Sequence, residues 1–183
     1  MILILAEKPS LARNITAAIG GMKKRDGYYE GAQYIVTWAF GHLFSLADIE
    51  DYNPAPQECR HWTMDNLPCF PKKYKFVLRK GSDKQVDSGV ARQFETIKAL
   101  CNRPDVDTIV NAGDADREGE IIIRIIVDHA FASKEERAGK SHKRLWLPDQ
   151  TAETINKALT EMKDEEAYDN LAYEGYARTF IDW

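Results

Sequence analysis

The chain has 183 residues, of which 44% are hydrophobic and 30% are charged, and its formal net charge is -4 at pH 7. These values are typical of a soluble globular protein with one main domain and a small annex, and no apolar run approaches the roughly 20 residues of a membrane span. The acidic balance gives no general sign of nucleic-acid binding, although it can hide local basic surfaces. Three cysteines without close spacing argue against a disulfide framework or a zinc site. With no signal peptide at the N-terminus, the chain is expected to be cytoplasmic.

The first predicted elements are a buried strand, a turn and a helix. ILILA (2–6) is a continuous apolar run, and apolar residues recur at helical spacing from Leu11 to Ile19. Glycines then flank short β-rich runs, which predict a hairpin ending near Trp38. The proline-rich segment 48–71 has few periodic apolar residues and is expected to form an irregular insertion.

The rest of the chain alternates strands with helices. The predicted elements are a short strand at 75–78, a helix at 83–100, a second buried strand at 106–110 and a helix with isoleucines on one face at 118–131. They are followed by the strand RLWL at 144–147 and by two helices from Thr151 onwards. Buried strands between helices indicate an α/β fold with a mainly parallel sheet and right-handed crossovers. We expect a main domain over 1–150 and C-terminal helices over 151–183.

Acidic residues follow both buried strands. The first strand ends at Glu7 and the second at Asp114, and ligands of open parallel sheets bind at the carboxyl ends of the strands. Asp114, Asp116 and Glu118 alternate, so an extended turn can direct their side chains to one side. A hard cation would relieve their repulsion, and Mg²⁺ prefers such oxygen ligands together with phosphate. The pattern predicts metal-assisted phosphate chemistry, with solvent-exposed helix capping as the alternative for so short a motif.

Two basic residues accompany these acids. Lys8 directly follows Glu7, which indicates either a proton-handling carboxylate beside a phosphate-binding ammonium or a plain salt bridge. Arg117 stands among four acids, where it either binds phosphate or neutralises the acids structurally. The spacing alone leaves both alternatives open.

Several stretches together resemble one known family. AEKPS (6–10) and DADREGE (114–120) resemble the Toprim domain, specifically that of type IA DNA topoisomerases of the topoisomerase III kind. Further stretches resemble the same family in the same order, namely TWAFGHLFSLA (37–47), Trp62 with LP.FP (67–71), RLWL (144–147) and GYARTFIDW (175–183). The DxDxE pattern alone would also fit bacterial primases, overcoming-lysogenization nucleases and type II topoisomerase subunits. The resemblance implies a Toprim fold, which is a Rossmann-like, mainly parallel sheet flanked by helices, here with an added hairpin and C-terminal helices.

The resemblance also implies an activity. The family cleaves, passes and religates single DNA strands without ATP, through a 5'-phosphotyrosyl link. By position, Glu7 resembles the glutamate that transfers a proton to the leaving 3'-oxygen, and Lys8 resembles the lysine that holds the scissile phosphate. Asp114, Asp116 and Glu118 correspond to the acidic triad that binds Mg²⁺.

Other family positions extend this expectation. His42 is placed near the same site, and Arg178 and Asp182 match the start of the helix from which the next DNA-binding domain grows. Lys8, Arg117 and Arg178 are therefore expected to contact DNA, whereas Phe180 stands where the family often has arginine and that contact is not carried over. The expected partners are single-stranded and negatively supercoiled DNA at the nucleoid, together with the remaining domains of the parent topoisomerase.

The nucleophilic tyrosine of the family lies on a domain far downstream. None of the eight tyrosines here matches its motif. The chain is therefore expected to be an N-terminal fragment that holds metal and phosphate without relaxing DNA. Two other functions stay open: a free-standing Toprim nuclease or primase-like enzyme with two metals and no tyrosine, and a non-catalytic nucleic-acid-binding module.

Overall fold

The computed structural model describes residues 1–52, 64–65, 71–81 and 85–183. Within these ranges the strands are β1 Ile2–Ala6, β2 Lys23–Lys24, β3 Tyr28–Glu30, β4 Tyr34–Trp38, β5 Phe44–Leu46, β6 Phe76–Leu78, β7 Thr108–Ala112, β8 Ser141–Arg144 and β9 Lys163–Asp164. The helices are α1 Pro9–Ile19, α2 Ile49–Tyr52, α3 Ser88–Cys101, α4 Arg117–Ala130, α5 Lys134–Ala138, α6 Ala152–Thr160 and α7 Asp169–Ile181. A 3-10 turn, Glu165–Tyr168, precedes α7. None of the helices in these ranges has the length and apolar character of a membrane span.

The main sheet has the strand order β2-β3-β4-β1-β7-β8-β9. Its four central strands, β4, β1, β7 and β8, are parallel, whereas β2, β3 and β9 are antiparallel to their neighbours. Residues 3–6 of β1 are fully buried because helices cover both faces of the sheet, which explains why this strand is a continuous apolar run. The structure confirms the predicted α/β class with a mainly parallel sheet.

Two apolar cores lie on the two faces of the sheet. Leu3 and Leu5 of β1 pack with α3 and α4 on one face, and Ile4 and Ala6 pack with α1 and α6 on the other. Helix α7 packs against α4, so the C-terminal helices contact the helices that flank the sheet. The predicted site residues follow the carboxyl ends of two parallel strands, β1 and β7.

The predicted hairpin is confirmed, since β3 and β4 pair antiparallel. Strand β4 is also the parallel neighbour of β1, however, and this second role was missed by the sequence analysis. As a result Ile35, Val36 and Thr37 are all buried, so these three consecutive residues do not alternate between a buried and an exposed face.

Three predicted boundaries are displaced. The second buried strand, expected at 106–110, lies at Thr108–Ala112. The strand expected at RLWL (144–147) lies at Ser141–Arg144, because the polar SHKR segment pairs with β7 and only its last residue is buried. The helix expected from Asp83 begins at Ser88. Asp87 is its N-cap and accepts hydrogen bonds from the amides of Gly89 and Val90, while Val86 forms a bridge with Lys80.

The predicted insertion 48–71 is described only in part. Ile49–Tyr52 forms the short helix α2, and most of the remaining insertion, including Trp62 and the first residues of LP.FP, lies outside the described residues. Beyond it, β6 pairs with β5 in a separate two-stranded sheet, which confirms the strand predicted near 75–78.

Candidate active site at the carboxyl ends of two parallel strands

The ends of β1 and β7 bring Glu7, Lys8 and Asp114 into direct contact. Ala6 and Ala112 are paired in the parallel register, so the residues after them leave the same edge of the sheet. The amide of Asp114 donates to Glu7 Oε2 at 3.0 Å, and Lys8 Nζ lies 3.2 Å from Glu7 Oε1 and 2.5 Å from Asp114 Oδ2. The Glu7 side chain is 8% exposed and that of Lys8 is 49% exposed. The buried carboxylate of Glu7 thus contacts an ammonium, that of Lys8, which is itself accessible to solvent.

The charge state of Lys8 follows from these contacts. The hydrogen bond that Lys8 donates to Asp114 is the largest influence on its pKa and raises the pKa above its ordinary value. Burial opposes this effect, and Glu7 raises the pKa further. The ammonium is therefore charged at neutral pH. Two carboxylates around one ammonium leave this cluster with an excess of negative charge.

The other two predicted metal ligands have separate partners. Asp116 is the N-cap of α4, and its Oδ1 accepts a hydrogen bond from the amide of Gly119 at 2.7 Å. Glu118, in the first helical turn, lies 2.6 Å from His42 Nε2, with both side chains nearly half exposed. In the part of the chain that the structure describes, no three His, Cys, Asp or Glu side chains are gathered closely enough to hold a metal ion. The predicted convergence of the three carboxylates is not present in this arrangement.

The donor chemistry nevertheless suits a hard cation. Asp114, Asp116 and Glu118 offer carboxylate oxygens within one turn. The carboxylate of Asp114 is paired with the half-exposed ammonium of Lys8, and Glu118 contacts the half-exposed ring of His42. A divalent ion would supply the same counter-charge. The residues that could hold it are these three carboxylates.

His42 reaches the site because its loop is fixed to the end of β1. The amide of Ala39 donates to the carbonyl of Ala6 at 2.8 Å, and the amide of Gly41 donates to the carbonyl of Glu7 at 3.0 Å. Gly41 has a φ of 69°, a conformation that glycine adopts without steric cost. These contacts hold the loop across the strand end and bring His42 to Glu118.

Two glycines allow the acidic turn to close on itself. A Cβ atom on Gly113 would lie 2.0 Å from the carbonyl oxygen of Gly119, and a Cβ atom on Gly119 would lie 2.4 Å from the backbone nitrogen of Asp114. The end of β7 and the start of α4 therefore cross backbone to backbone. Any larger residue at either position would force the turn apart.

A buried cluster of charged side chains, Arg144, Glu120 and Arg124, contacts the acidic turn on its interior side. Arg144, at the end of β8, is fully buried and donates to the carbonyls of Asn111, Gly113, Asp114 and Leu145 at 2.7–3.2 Å. Its Nε lies 2.6 Å from Oε2 of the fully buried Glu120, and Arg124 Nε donates to the other oxygen of Glu120 at 2.7 Å. Burial lowers the pKa of Arg144, and the Glu120 charge opposes this effect.

Comparison with known proteins agrees with this geometry. A family model described as "Toprim domain" matches residues 2–147. The chain belongs to the Toprim domain family. It is also 41% identical over 181 residues to a protein named DNA topoisomerase 3 of Staphylococcus epidermidis. The aligned region covers 99% of this chain and 23% of that protein. It is 39% identical to the DNA topoisomerase 3 of Bacillus anthracis and 38% identical to that of Bacillus subtilis, in each case over 98% of this chain and 22% of the relative.

The Toprim domain is thus similar to the corresponding part of DNA topoisomerase 3 proteins, which confirms the resemblance seen in the sequence. The chain spans less than a quarter of the length of these relatives. The structure also agrees with the resemblance at the level of fold, since AEKPS and DADREGE follow adjacent parallel strands of the sheet.

The two arginines predicted to contact DNA have intramolecular partners in this Toprim domain. Arg117 pairs with Glu174 of α7 at 2.6 Å, and Arg178 pairs with Asp182 at 2.6 Å, with all four side chains roughly half exposed. Arg178 lines a cavity of about 330 Å³ together with His42 and Glu118. Arg178 therefore lies beside the acidic turn. Arg117 is turned toward α7.

Sequence analysis missed the residues that shape the turn from within. Glu120 looked like one more acid of the motif, although its position next to the apolar residues 121–123 was a signal of burial. Arg144 was predicted as part of the strand RLWL because of its apolar neighbours. An arginine directly before such an apolar run is a sign that the arginine itself is buried and paired. The crossing of Gly113 and Gly119 is a tertiary contact, and no spacing rule predicts it.

Proposed function

We propose that this chain is the metal- and phosphate-binding part of an ATP-independent type IA DNA topoisomerase. In this proposal the whole protein cleaves, passes and religates single DNA strands in the cytoplasm, at the nucleoid. Its partners are single-stranded and negatively supercoiled DNA and the remaining domains of the longer protein. The supporting comparison is the similarity to proteins named DNA topoisomerase 3 over nearly the whole of this chain.

The observation that carries the proposal is the contact between Glu7, Lys8 and Asp114. A half-exposed ammonium held between two carboxylates can donate a hydrogen bond to a phosphate oxygen while it stays fixed to the protein. The buried carboxylate of Glu7 lies 3.2 Å from this ammonium, and in this proposal it transfers a proton to or from a leaving hydroxyl of the bound phosphate. A plain surface salt bridge would not need a buried partner.

Asp114, Asp116 and Glu118 are the proposed ligands of Mg²⁺. A bound Mg²⁺ supplies charge neutralisation and orientation to phosphate groups. Of the side chains that contact these carboxylates, Lys8 pairs with Asp114 and His42 contacts Glu118, and in this proposal Lys8 also holds the phosphate.

The proposal assigns no nucleophile to this chain. All eight tyrosines lie in the described ranges, and none of them forms a hydrogen bond with Glu7, Lys8 or Asp114. We therefore expect the 183-residue chain to bind Mg²⁺ and DNA phosphate without relaxing supercoiled DNA. Relaxation by the purified chain would contradict this assignment.

A calorimetric Mg²⁺ titration tests the metal site. Asp114→Asn combined with Asp116→Asn should weaken Mg²⁺ binding at least about tenfold, because two anionic ligands are lost. The matched control is Asp26→Asn with Asp164→Asn, which makes the same charge change at two exposed acids paired with Arg92 and Lys143. Equal affinities for the two double variants would refute the metal site.

Binding of a labelled single-stranded oligonucleotide tests the phosphate site. Lys8→Ala should weaken binding and reduce the slope of log affinity against log salt by about 0.7, the value for one phosphate contact on a single strand. Lys24→Ala, in the exposed strand β2, is the control for loss of a lysine charge. Magnesium-dependent cleavage or synthesis by this chain would instead support the free-standing nuclease or primase-like alternative. The non-catalytic module predicts salt-sensitive binding without turnover.

A further inference from the structure

We propose that Arg144 is the positioning residue of the acidic turn 114–118, and that Glu120 fixes Arg144 in place. The inference rests on the proposed function for the identity of the ligand, Mg²⁺. It adds a role for two residues that lie beneath the site and touch neither the metal nor the DNA.

The contacts of Arg144 converge on the backbone where β7 becomes the turn. Its Nη1 donates to the carbonyls of Asn111 and Gly113 at 3.2 and 2.9 Å, and its Nη2 donates to the carbonyl of Asp114 at 2.7 Å. The same Asp114 carbonyl accepts from the amide of Asp116 at 2.8 Å. With its carbonyls held from inside, the turn leaves the side chains of Asp114 and Glu118 on the accessible side.

Arginine is the side chain that these contacts require. Its planar guanidinium presents five donors in a fixed fork, whereas the lysine ammonium has three donors at a single point. A lysine at position 144 could keep the charge but could not reach the separate carbonyls and Glu120 together. The role therefore depends on the shape of the guanidinium as well as on its charge.

Glu120 offsets the energetic cost of burying the Arg144 charge and fixes the orientation of the guanidinium. An unpaired charge in a fully buried position is costly, and the Glu120 carboxylate lies 2.6 Å from Arg144 Nε, although the N–H direction does not meet hydrogen-bond geometry. Glu120 also binds Arg124, which in turn donates to Asp169 and to the carbonyl of Glu165. The turn is thus tied through two arginines to the start of α7.

Asn111 adds a second support on the same side. Its side-chain oxygen accepts from the amide of Gly113 at 2.9 Å, and its side-chain nitrogen donates to the carbonyl of Glu120 at 3.2 Å. Backbone groups on both sides of the acidic turn are therefore held by buried side chains. Residues behind the ligands commonly affect metal affinity by fixing the ligands in place.

The test compares Arg144→Lys with Arg103→Lys in the same chain. Arg103 also has several side-chain contacts, with Glu30 and Asp105, but it lies at the opposite edge of the sheet near the start of β1. The first measurement is amide hydrogen exchange of Asp114 and Gly119 without metal, and the second is the Mg²⁺ dissociation constant by calorimetry. Arg144→Lys should raise the two exchange rates and weaken Mg²⁺ binding by about tenfold or more, whereas Arg103→Lys should change neither.

The two readouts separate this inference from the proposed function. If the wild-type chain binds no Mg²⁺, the metal proposal fails, and the exchange comparison still decides whether Arg144 fixes the turn. Equal exchange rates at Asp114 and Gly119 in the two variants would overturn the role of Arg144. If Arg144→Lys does not fold, Glu120→Gln provides the same comparison with a smaller expected increase in exchange, and no increase would overturn the inference.

Discussion

Glu118 and Glu120 lie two residues apart in the first turn of α4, yet their surroundings differ completely. Glu118 is 47% exposed, and among the described residues it contacts His42 at 2.6 Å. Glu120 is fully buried between Arg124 and Arg144, at 2.7 and 2.6 Å. Residues two apart on a helix point in directions roughly 200° apart, so one carboxylate faces the accessible turn and the other faces the interior. A carboxylate can therefore exchange its contact for a ligand on the exposed side of the helix, whereas on the buried side its contacts with the two arginines are fixed.

The largest effect should come from breaking the buried side. Glu120→Leu leaves Arg144 and Arg124 without their shared carboxylate, and removing one partner of a buried ion pair typically lowers the free energy of unfolding by about 3–5 kcal/mol. Glu118→Leu breaks a half-exposed pair and should cost less than about 1 kcal/mol. Urea unfolding of both variants measures the difference. Similar losses would mean that the two glutamates do not have the distinct roles assigned to them.

The close backbone crossing of Gly113 and Gly119, at the start of the helix that carries both glutamates, should also contribute to stability. Gly119→Ala should lower the free energy of unfolding by about 3 kcal/mol, since its Cβ atom would lie 2.4 Å from backbone atoms of Asp114 that cannot move freely. Gly89→Ala, in the first turn of α3, is the control. It should change stability by less than about 1 kcal/mol. Thermal unfolding followed by circular dichroism measures both, and an unchanged melting temperature for Gly119→Ala would contradict the close crossing.

The exposed side should affect ligand binding more than stability. Glu118→Gln should weaken Mg²⁺ binding about tenfold, with a stability change below about 1 kcal/mol, because a ligand charge is lost at an accessible position. Glu174→Gln, which removes an exposed charge paired with Arg117, is the control and should leave Mg²⁺ affinity unchanged. Calorimetry and thermal unfolding on the same samples distinguish the two effects. A Glu118→Gln variant with wild-type affinity would exclude Glu118 as a ligand.

The smallest expected effect is an absence of pH dependence at Lys8. The pKa of Lys8 is raised above its usual 10.5, so the stability contributed by its ammonium is complete below that value and is lost only as pH rises through the raised pKa. The difference in melting temperature between wild type and Lys8→Met should therefore be the same at pH 7 and pH 9. A difference that shrinks at pH 9 would show that Lys8 loses its proton earlier than its contacts with Asp114 and Glu7 imply.

The sequence predicted the side chains at the strand ends better than the buried cluster of Arg144 and Glu120 beneath them. Glu7, Lys8 and Asp114 follow continuous apolar runs, and in a parallel sheet the ends of adjacent strands meet, so their contact could be expected from the pattern alone. Their register and hydrogen bonds required the structure. The separate partners of Asp116 and Glu118 were not predicted, because capping by Asp116 and the approach of His42 depend on loop geometry.

The buried cluster was not predicted because its residues look ordinary in one dimension. Arg144 ends a polar strand, SHKR, that lies near the edge of the sheet, and the apolar residues after it led to a strand prediction displaced along the chain. Similarly, β4 was predicted only as part of a hairpin, because its pairing with β1 joins segments distant in sequence. Periodicity describes which face of an element is buried, but it does not tell which buried charge will meet which backbone carbonyl.

The central position of β1 has a consequence for how the site is assembled during folding. Ile2 pairs with Tyr34 on one side and with Thr108 on the other, so the second pairing closes a loop that contains β2 to β6 and α1 to α3. Such long-range parallel pairings form slowly, because the entropy of closing the loop is lost before the contacts are gained. On the ribosome, Glu7 and Lys8 emerge early but acquire Asp114 only after β7 has been synthesised. The pairing of β1 with β4 can therefore precede the synthesis of β7, whereas the contact of Lys8 with Asp114 requires the pairing of β1 with β7.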